Sequence, residues 1–265
     1  MARMNDLMRF AGWRTVRFAP ILALLAGWEM VARGGAVTPF MLPPFSTVLA
    51  RILDDATNGD LFINTAVTLY RALLGFLIAA LAGVALGAAM SRNKVARWFF
   101  DPIVSVGFPM PKIAFLPVVI LWLGLHDVSK IFMVVLDATF PVITATISGI
   151  ASVEKELLWS ARNMGANERE LMGQIVLPAA LPQILTGLQV GLPIALIVAV
   201  ITEMAMGGYG LGGAMMQASR FADSRGVFAG IVEIAVVGYA LVAAMALLRR
   251  RLLRWHQEAQ EPPGL

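Results

Sequence analysis

Residues 152–182 read SVEKELLWSARNMGANERELMGQIVLPAALP. Seven charged side chains stand in this stretch (Glu154, Lys155, Glu156, Arg162, Glu168, Arg169 and Glu170), while the flanking runs 129–150 and 184–206 are apolar. Each flanking run exceeds the roughly 20 apolar residues that cross a hydrocarbon core about 30 Å thick. The stretch is therefore a water-facing island between two membrane spans.

The island is patterned. Ser152 is placed to cap a helix whose first turn holds Glu154 and Glu156, acids that suit the positive end of the helix dipole. Leu157, Leu158, Ala161, Met164 and Gly165 follow at helical spacing, and Gly165 then interrupts the helix. Asn167 with Glu170 three residues on resembles a capping box opening a second helix. Leu171, Met172, Ile175 and Val176 form its apolar stripe, Leu177-Pro178 ends it, and Pro182 stands just before the next span. Two short helices with apolar faces in water need a partner or a membrane surface to cover them. Three basic residues against four acidic ones disfavour anionic lipid, so a protein partner is the better inference.

Outward from the island, further apolar runs fall at 16–33, 68–90, 99–124 and 227–248. The 265 residues are 58% hydrophobic and only 14% charged, with mean hydropathy +0.76. Soluble domains carry about 25% charged residues, so this is no soluble globular enzyme. The fold class is an all-α integral membrane protein of about six transmembrane helices. It forms a single transmembrane domain over 1–265, with 151–183 as its polar loop and 256–265 as a disordered tail. A formal charge of +4 reflects Lys and Arg flanking the spans rather than nucleic-acid binding. The chain has no cysteine, which excludes disulfides and thiolate metal sites, and two histidines, His126 and His256, are too few for a metal cluster. Arg14 and Arg17 precede the first run as in a secretory leader. However, Glu29 interrupts it and Val31-Ala32-Arg33-Gly34 lacks a small-x-small cleavage pattern, so it reads as an uncleaved span.

Basic residues set the orientation. One side of the alternating loops holds Arg3, Arg9, Arg14, Arg17, Arg92, Lys94, Arg97, Lys155, Arg162, Arg169, Arg249, Arg250, Arg251 and Arg254. The other holds Arg33, Arg51, Lys130, Arg220 and Arg225, while Arg71 and Lys112 fall inside apolar runs. Positive residues favour the cytoplasm, which puts both termini and the 151–183 loop there.

Lipid tails provide no hydrophobic drive between helices, so spans associate through small residues that let backbones approach. Gly75, Ala79, Gly83 and Gly87 form such a ridge, and Gly187, Gly191, Ala195 and Ala199 form another. Whether they meet partners in the same chain or in a second copy stays open at this point. Pro193 should kink the 184–206 span. The 99–124 run carries Pro102, Pro109, Pro111 and Pro117, and Phe108-Pro109-Met110-Pro111-Lys112 interrupts a regular helix. Irregular backbone at membrane depth is tolerated only against protein or a water-filled cavity.

Ionisable residues inside spans usually face the bundle interior. Glu29, Lys112, Asp137, Glu203 and Glu233 qualify; Glu29 and Glu233 lie within about two turns of a membrane face and read as structural. Lys112 either attracts an anionic solute or neutralises Asp137 and caps a broken helix end. Glu203-Met204 leads into the glycine-rich segment from Gly207-Gly208 to Gly213, which is either an outer gate or an ordinary turn. The candidate pathway or gate therefore comprises Lys112, Asp137, Glu203, Met204, Gly207 and Gly208.

Ser160-Ala161-Arg162-Asn163-Met164-Gly165, nine residues, then Ile175-Val176-Leu177-Pro178 resembles the EAA loop of binding-protein-dependent ABC import permeases. That pattern runs Glu-Ala-Ala, three residues, Gly, nine residues, Ile-x-Leu-Pro. Trp159 stands where the family has Glu, and Ser160 replaces the first Ala. Leu42-Pro43-Pro44, Pro109-Met110-Pro111-Lys112-Ile113-Ala114, Leu121-Trp122-Leu123-Gly124 and Glu203-Met204 resemble the sulfonate, taurine and nitrate branch.

The resemblance covers roughly residues 20–255. It implies a type I importer permease in a bacterial inner membrane, passing a small anionic solute inward. Trp159, Ser160, Ala161, Met164, Gly165, Ala166, Leu171, Ile175, Leu177 and Pro178 would form the coupling surface for an ATP-binding cassette ATPase dimer. A periplasmic solute-binding protein, a second permease copy and membrane lipid complete the implied partners, with no nucleic acid. The chain has no phosphate-loop motif, so it is no enzyme and binds no cofactor, and ATP and Mg belong to the partner ATPase. A secondary transporter or channel is the rival reading, for which inverted repeats would be support.

Overall fold

The computed structural model describes residues 19–255, and every regular element among them is helical. The expected tail 256–265, the start of the first apolar run, and Arg3, Arg9, Arg14 and Arg17 of the charge count lie outside the described residues. In chain order the helices are α1 (19–33), α2 (Phe45–Asn58), α3 (Asp60–Arg92), α4 (Lys94–Gly107), α5 (Leu116–Leu123), α6 (Asp127–Ala151), α7 (Lys155–Asn163), α8 (Glu168–Glu170), α9 (Leu177–Met206), α10 (Leu211–Arg220) and α11 (Ser224–Leu252). A 3-10 turn, Lys112–Phe115, precedes α5, and a π-helical turn, Leu171–Val176, joins α8 to α9.

Among the described residues four segments are long and apolar enough to cross a membrane uninterrupted: α3, α6, the stretch containing α9, and α11. The expected third span is broken. α4 and the Lys112–Leu123 segment meet at 95°, with Pro109 and Pro111 in the break and Pro117 in the first turn of α5, where its missing N–H is harmless. This pair makes a fifth crossing if taken as one span.

The chain divides into two compact units. The larger, residues 63–214 and the described residues from 234, is built around α6. On one flank, a methyl added at Gly75, Gly83 or Gly87 of α3 would lie 2.6–2.7 Å from Val134, Val142 or Thr146. On the other, Gly187 of α9 meets Ala145, and Gly191 lies against the Ala138 carbonyl. Both small-residue ridges therefore meet the same helix of the same chain. Ala72, Ala79, Met133, Val134, Ala138, Ala195 and Ala199 fill the seam and are fully buried. α9 runs unbroken through Pro182 and Pro193.

The smaller unit comprises the described residues up to Phe62 and Met215–Glu233. The Trp28 indole N–H donates to the Pro43 carbonyl at 3.0 Å, and its ring sits 5.4 Å from Phe45 and 5.5 Å from Phe228. Glu29 accepts from Arg33 at 2.6 Å and from the Ser46 backbone and hydroxyl, which bears out its structural reading. Arg51 bridges Asp55 and Asp223. Burial opposes its charge, but the two carboxylates outweigh that and raise its pKa above the usual arginine value.

Two boundaries in the 151–183 loop differ from expectation. Ser152 does not open α7; it closes α6, its hydroxyl donating to the Gly149 carbonyl at 2.8 Å, and Glu154 takes the N-cap position. Leu177-Pro178 does not end the second helix either. The wider π turn before it leaves room for the ring and spares the missing N–H, so the chain passes from α8 into α9 without a loop.

Candidate functional site

The first candidate is the hairpin α7–α8. Gly165 sits at φ +88°, a backbone conformation that a side chain strains, and it reverses the chain sharply. Asn167 accepts from the Arg169 and Glu170 amides while Glu170 returns the bond to the Asn167 amide, the reciprocal cap read from the sequence. Ala161, Leu171 and Val176 are buried among Ile150, Val153, Leu158, Ala166, Met172 and Ile175. Much of the hairpin's apolar surface thus closes on itself, and Ala161 and Leu171 face inward rather than toward a partner. What stays outside is Leu157, Trp159 and Met164, the last 79% exposed, with Ser160, Gly165 and Pro178 also at the surface and Leu177 half-buried. Arg92 and Arg162 both bond Glu168, which ties the hairpin to the end of α3.

The six pathway residues separate into two groups. Lys112, at the break before α5, is buried and donates to the Phe108 carbonyl at 3.1 Å, pairs with Asp137 at 3.1 Å and lies 4.6 Å over the Phe140 ring. It neutralises the acid and caps the broken helix end at once.

Glu203 belongs to a different cluster, centred on Arg71. The Arg71 guanidinium donates to Asp127 through Nε at 2.9 Å and Nη2 at 2.6 Å, and through Nη1 to Glu203 at 2.7 Å and the Tyr209 carbonyl at 2.6 Å. Thr68 donates to Glu203 at 2.9 Å, and the Gly212 amide donates to the same carboxylate. Lys130 Nζ donates to the Gly207 carbonyl at 2.7 Å. Arg71, Lys130 and Glu203 are at most 4% exposed. Met204 is half-buried and packs on the apolar core. Asp127 and Asp137 are ten residues apart on α6, roughly 15 Å along its axis, so the two clusters occupy different levels of the bundle.

Gly207, Gly208 and Gly210 all have positive φ. The segment is a tight turn that re-enters the helical α10, and a Cβ at Gly210 or Gly212 would collide with Glu203 or the Val200 carbonyl. Sequence reasoning placed Arg71 inside a span yet left it out of the site, and it treated Lys130 as a loop charge. Arg71 meets the same criterion of an ion at membrane depth that singled out Lys112. Asn64, Thr68 and Asp127 gave no comparable mark. Among the described residues no group of acids and histidines is arranged to hold a metal ion.

A family model described as the binding-protein-dependent transport system inner membrane component matches residues 75–254. The taurine transport system permease protein TauC of Escherichia coli (strain K12) is 33% identical over 251 residues, covering 93% of this chain and 91% of that one. The putative aliphatic sulfonates transport permease protein SsuC of Bacillus subtilis (strain 168) is 34% identical over 244 residues, covering 92% and 88%. Among solved structures, an amino acid ABC transporter crystallised with histidines shares the fold at TM-score 0.61, with 19% identity, 77% of this chain and 97% of that chain covered. The inward-facing MetNI methionine ABC transporter does so at TM-score 0.57 and 18% identity, covering 73% and 94%.

Proposed function

Because this chain belongs to the family of binding-protein-dependent transport system inner membrane components, we propose that it is the permease of an ATP-driven importer whose cargo is taurine or a related alkanesulfonate. Two relatives matched over most of their length are named for those cargoes, which supports the choice. The partners in this reading are an ATP-binding subunit pair, a second permease copy and a periplasmic binding protein that selects the cargo. Both termini and the α7–α8 hairpin lie on the cytoplasmic side of the inner membrane, as the basic residues favour.

One observation carries the coupling role. α7 and the turn after it keep Leu157, Trp159 and Met164 exposed on a hairpin that feeds without a loop into α9. Exposed aromatic and methionine side chains in water mark a protein contact. Nucleotide-driven closure of the ATPase pair moves that contact, and the hairpin passes the displacement to the spans. Lys112, already satisfied by Asp137 and Phe108, holds the broken helix in place rather than drawing cargo.

Reconstitution tests this. The chain is co-expressed with its ATPase and binding protein and placed in vesicles, and uptake of labelled taurine is followed. ATP-dependent accumulation is expected. Uptake that ignores ATP, or a purified chain with no ATPase attached, refutes the reading.

A further inference from the structure

Five side chains grip the glycine-rich turn by its backbone. Lys130 binds the Gly207 carbonyl and Arg71 the Tyr209 carbonyl. Asn64 accepts from the Gly210 amide at 2.9 Å, Thr68 from the Leu211 amide at 2.9 Å, and Glu203 from the Gly212 amide at 3.1 Å. The grips come from three helices, α3, α6 and α9. Their charges are tied together through Arg71, which bonds Asp127 of α6 and Glu203 of α9 simultaneously. A segment with three positive-φ glycines is conformationally permissive backbone, yet five of its polar groups are individually held.

We propose that Arg71, Glu203, Thr68, Lys130 and Asn64 are positioning residues that lock residues 207–212 to the ends of α3, α6 and α9, so that this end of the bundle moves as one block during transport. The inference rests on the importer reading for its stroke, though not for the lock itself. α9 is about 45 Å long at 1.5 Å per residue. It starts at the π turn after the coupling hairpin and ends three residues past Glu203. Displacement at the hairpin therefore reaches Glu203 through one uninterrupted helix. The Arg71 network then carries it sideways into α3, α6 and the turn. Without the lock, the turn would yield and absorb the displacement.

Two measurements decide it. The chain contains no cysteine, so Tyr209→Cys places a single nitroxide label on the turn while keeping the carbonyl that Arg71 binds. In nanodiscs the label is expected to be rotationally restricted, and at least threefold faster in Glu203→Gln and in Asn64→Ala. Asn64→Ala removes one hydrogen bond and no charge, so it keeps the test open where a charge variant fails to fold. An unchanged spectrum in a folded variant overturns the lock. In reconstituted vesicles, taurine uptake per ATP hydrolysed is expected to fall at least tenfold in Arg71→Lys and Glu203→Gln. A ratio equal to that of the parent overturns the transmission role. If the parent itself shows no ATP-driven uptake, the importer reading fails, and the label still decides the lock.

Discussion

The α3–α6 seam makes a quantitative prediction at Gly83. A methyl there would lie 2.7 Å from Val142 Cβ, 2.8 Å from its Cγ1 and 3.1 Å from the Thr139 carbonyl oxygen. Carbon atoms pack best at about 3.5–4.0 Å, so Gly83→Ala forces the two helices apart by roughly 1 Å, and a gap of that size forfeits about a quarter to a half of each dispersion contact. Overpacking of this kind costs about 1–3 kcal/mol. Alanine's better helix propensity returns about 1 kcal/mol. One of the obstructing atoms is backbone and the valine branches at Cβ, so little can rotate aside, and lipid gives the helices no other reason to stay together. The net expectation is a loss of about 1–2 kcal/mol, taken from the upper part of that range. Gly27 of α1 is the control, because a methyl there meets nothing within 4 Å. Propensity acts alone at that position, and Gly27→Ala should gain about 1 kcal/mol. Unfolding titrations in mixed micelles of SDS and mild detergent give both differences. If Gly83→Ala stabilises as much as Gly27→Ala, the α3–α6 seam is not a tight contact.

Three other perturbations follow from named contacts. Lys112→Met leaves Asp137 without its cation; breaking such a pair costs roughly 3–5 kcal/mol when buried, and the 25% exposure of the Asp137 side chain puts the expectation near the low end. The double variant Lys112→Met/Asp137→Leu should regain most of that in the same titration, and a further loss in the double refutes the pairing. Gly165→Val strains a residue held at φ +88° by about 1–3 kcal/mol, and should reduce ATP-driven uptake more than ATP hydrolysis; parent-like values for both argue against the hairpin as coupler. Asn167→Ala removes both amide caps of α8 at a cost of about 1 kcal/mol, seen as faster hydrogen exchange at Arg169 and Glu170, and unchanged exchange there contradicts the cap.

Local rules were legible where one residue type has one use. The Asn167–Glu170 cap, the glycine bend at 165, the proline break at 108–112 and the small-residue ridges all sit where the sequence puts them. The ridges' destination was not legible, because a four-residue step says only that something approaches closely. It took the fold to show that α6 receives both. Ser152 and Pro178 were misplaced for a related reason. A hydroxyl caps either end of a helix, and a π turn that admits proline leaves no mark in composition. The Arg71 network was hidden because its members are distant in sequence, Asp127 lying 56 residues from Arg71 and Glu203 lying 132. Only Arg71 and Glu203, ions inside apolar runs, announced that a counter-charge must exist.

The order of synthesis gives the α6 sandwich a temporal consequence. Arg71 and Asp127 emerge early, whereas Glu203 follows Asp127 by roughly 75 residues, which a ribosome adding roughly 5–20 residues per second needs about 4–15 s to supply. During that interval α6 has only one flank covered, and Lys130 waits for the Gly207 carbonyl. The nascent bundle is therefore most vulnerable to quality-control proteolysis between α6 and α9, and whatever accompanies it through the insertion machinery must shelter a half-neutralised helix until α9 arrives.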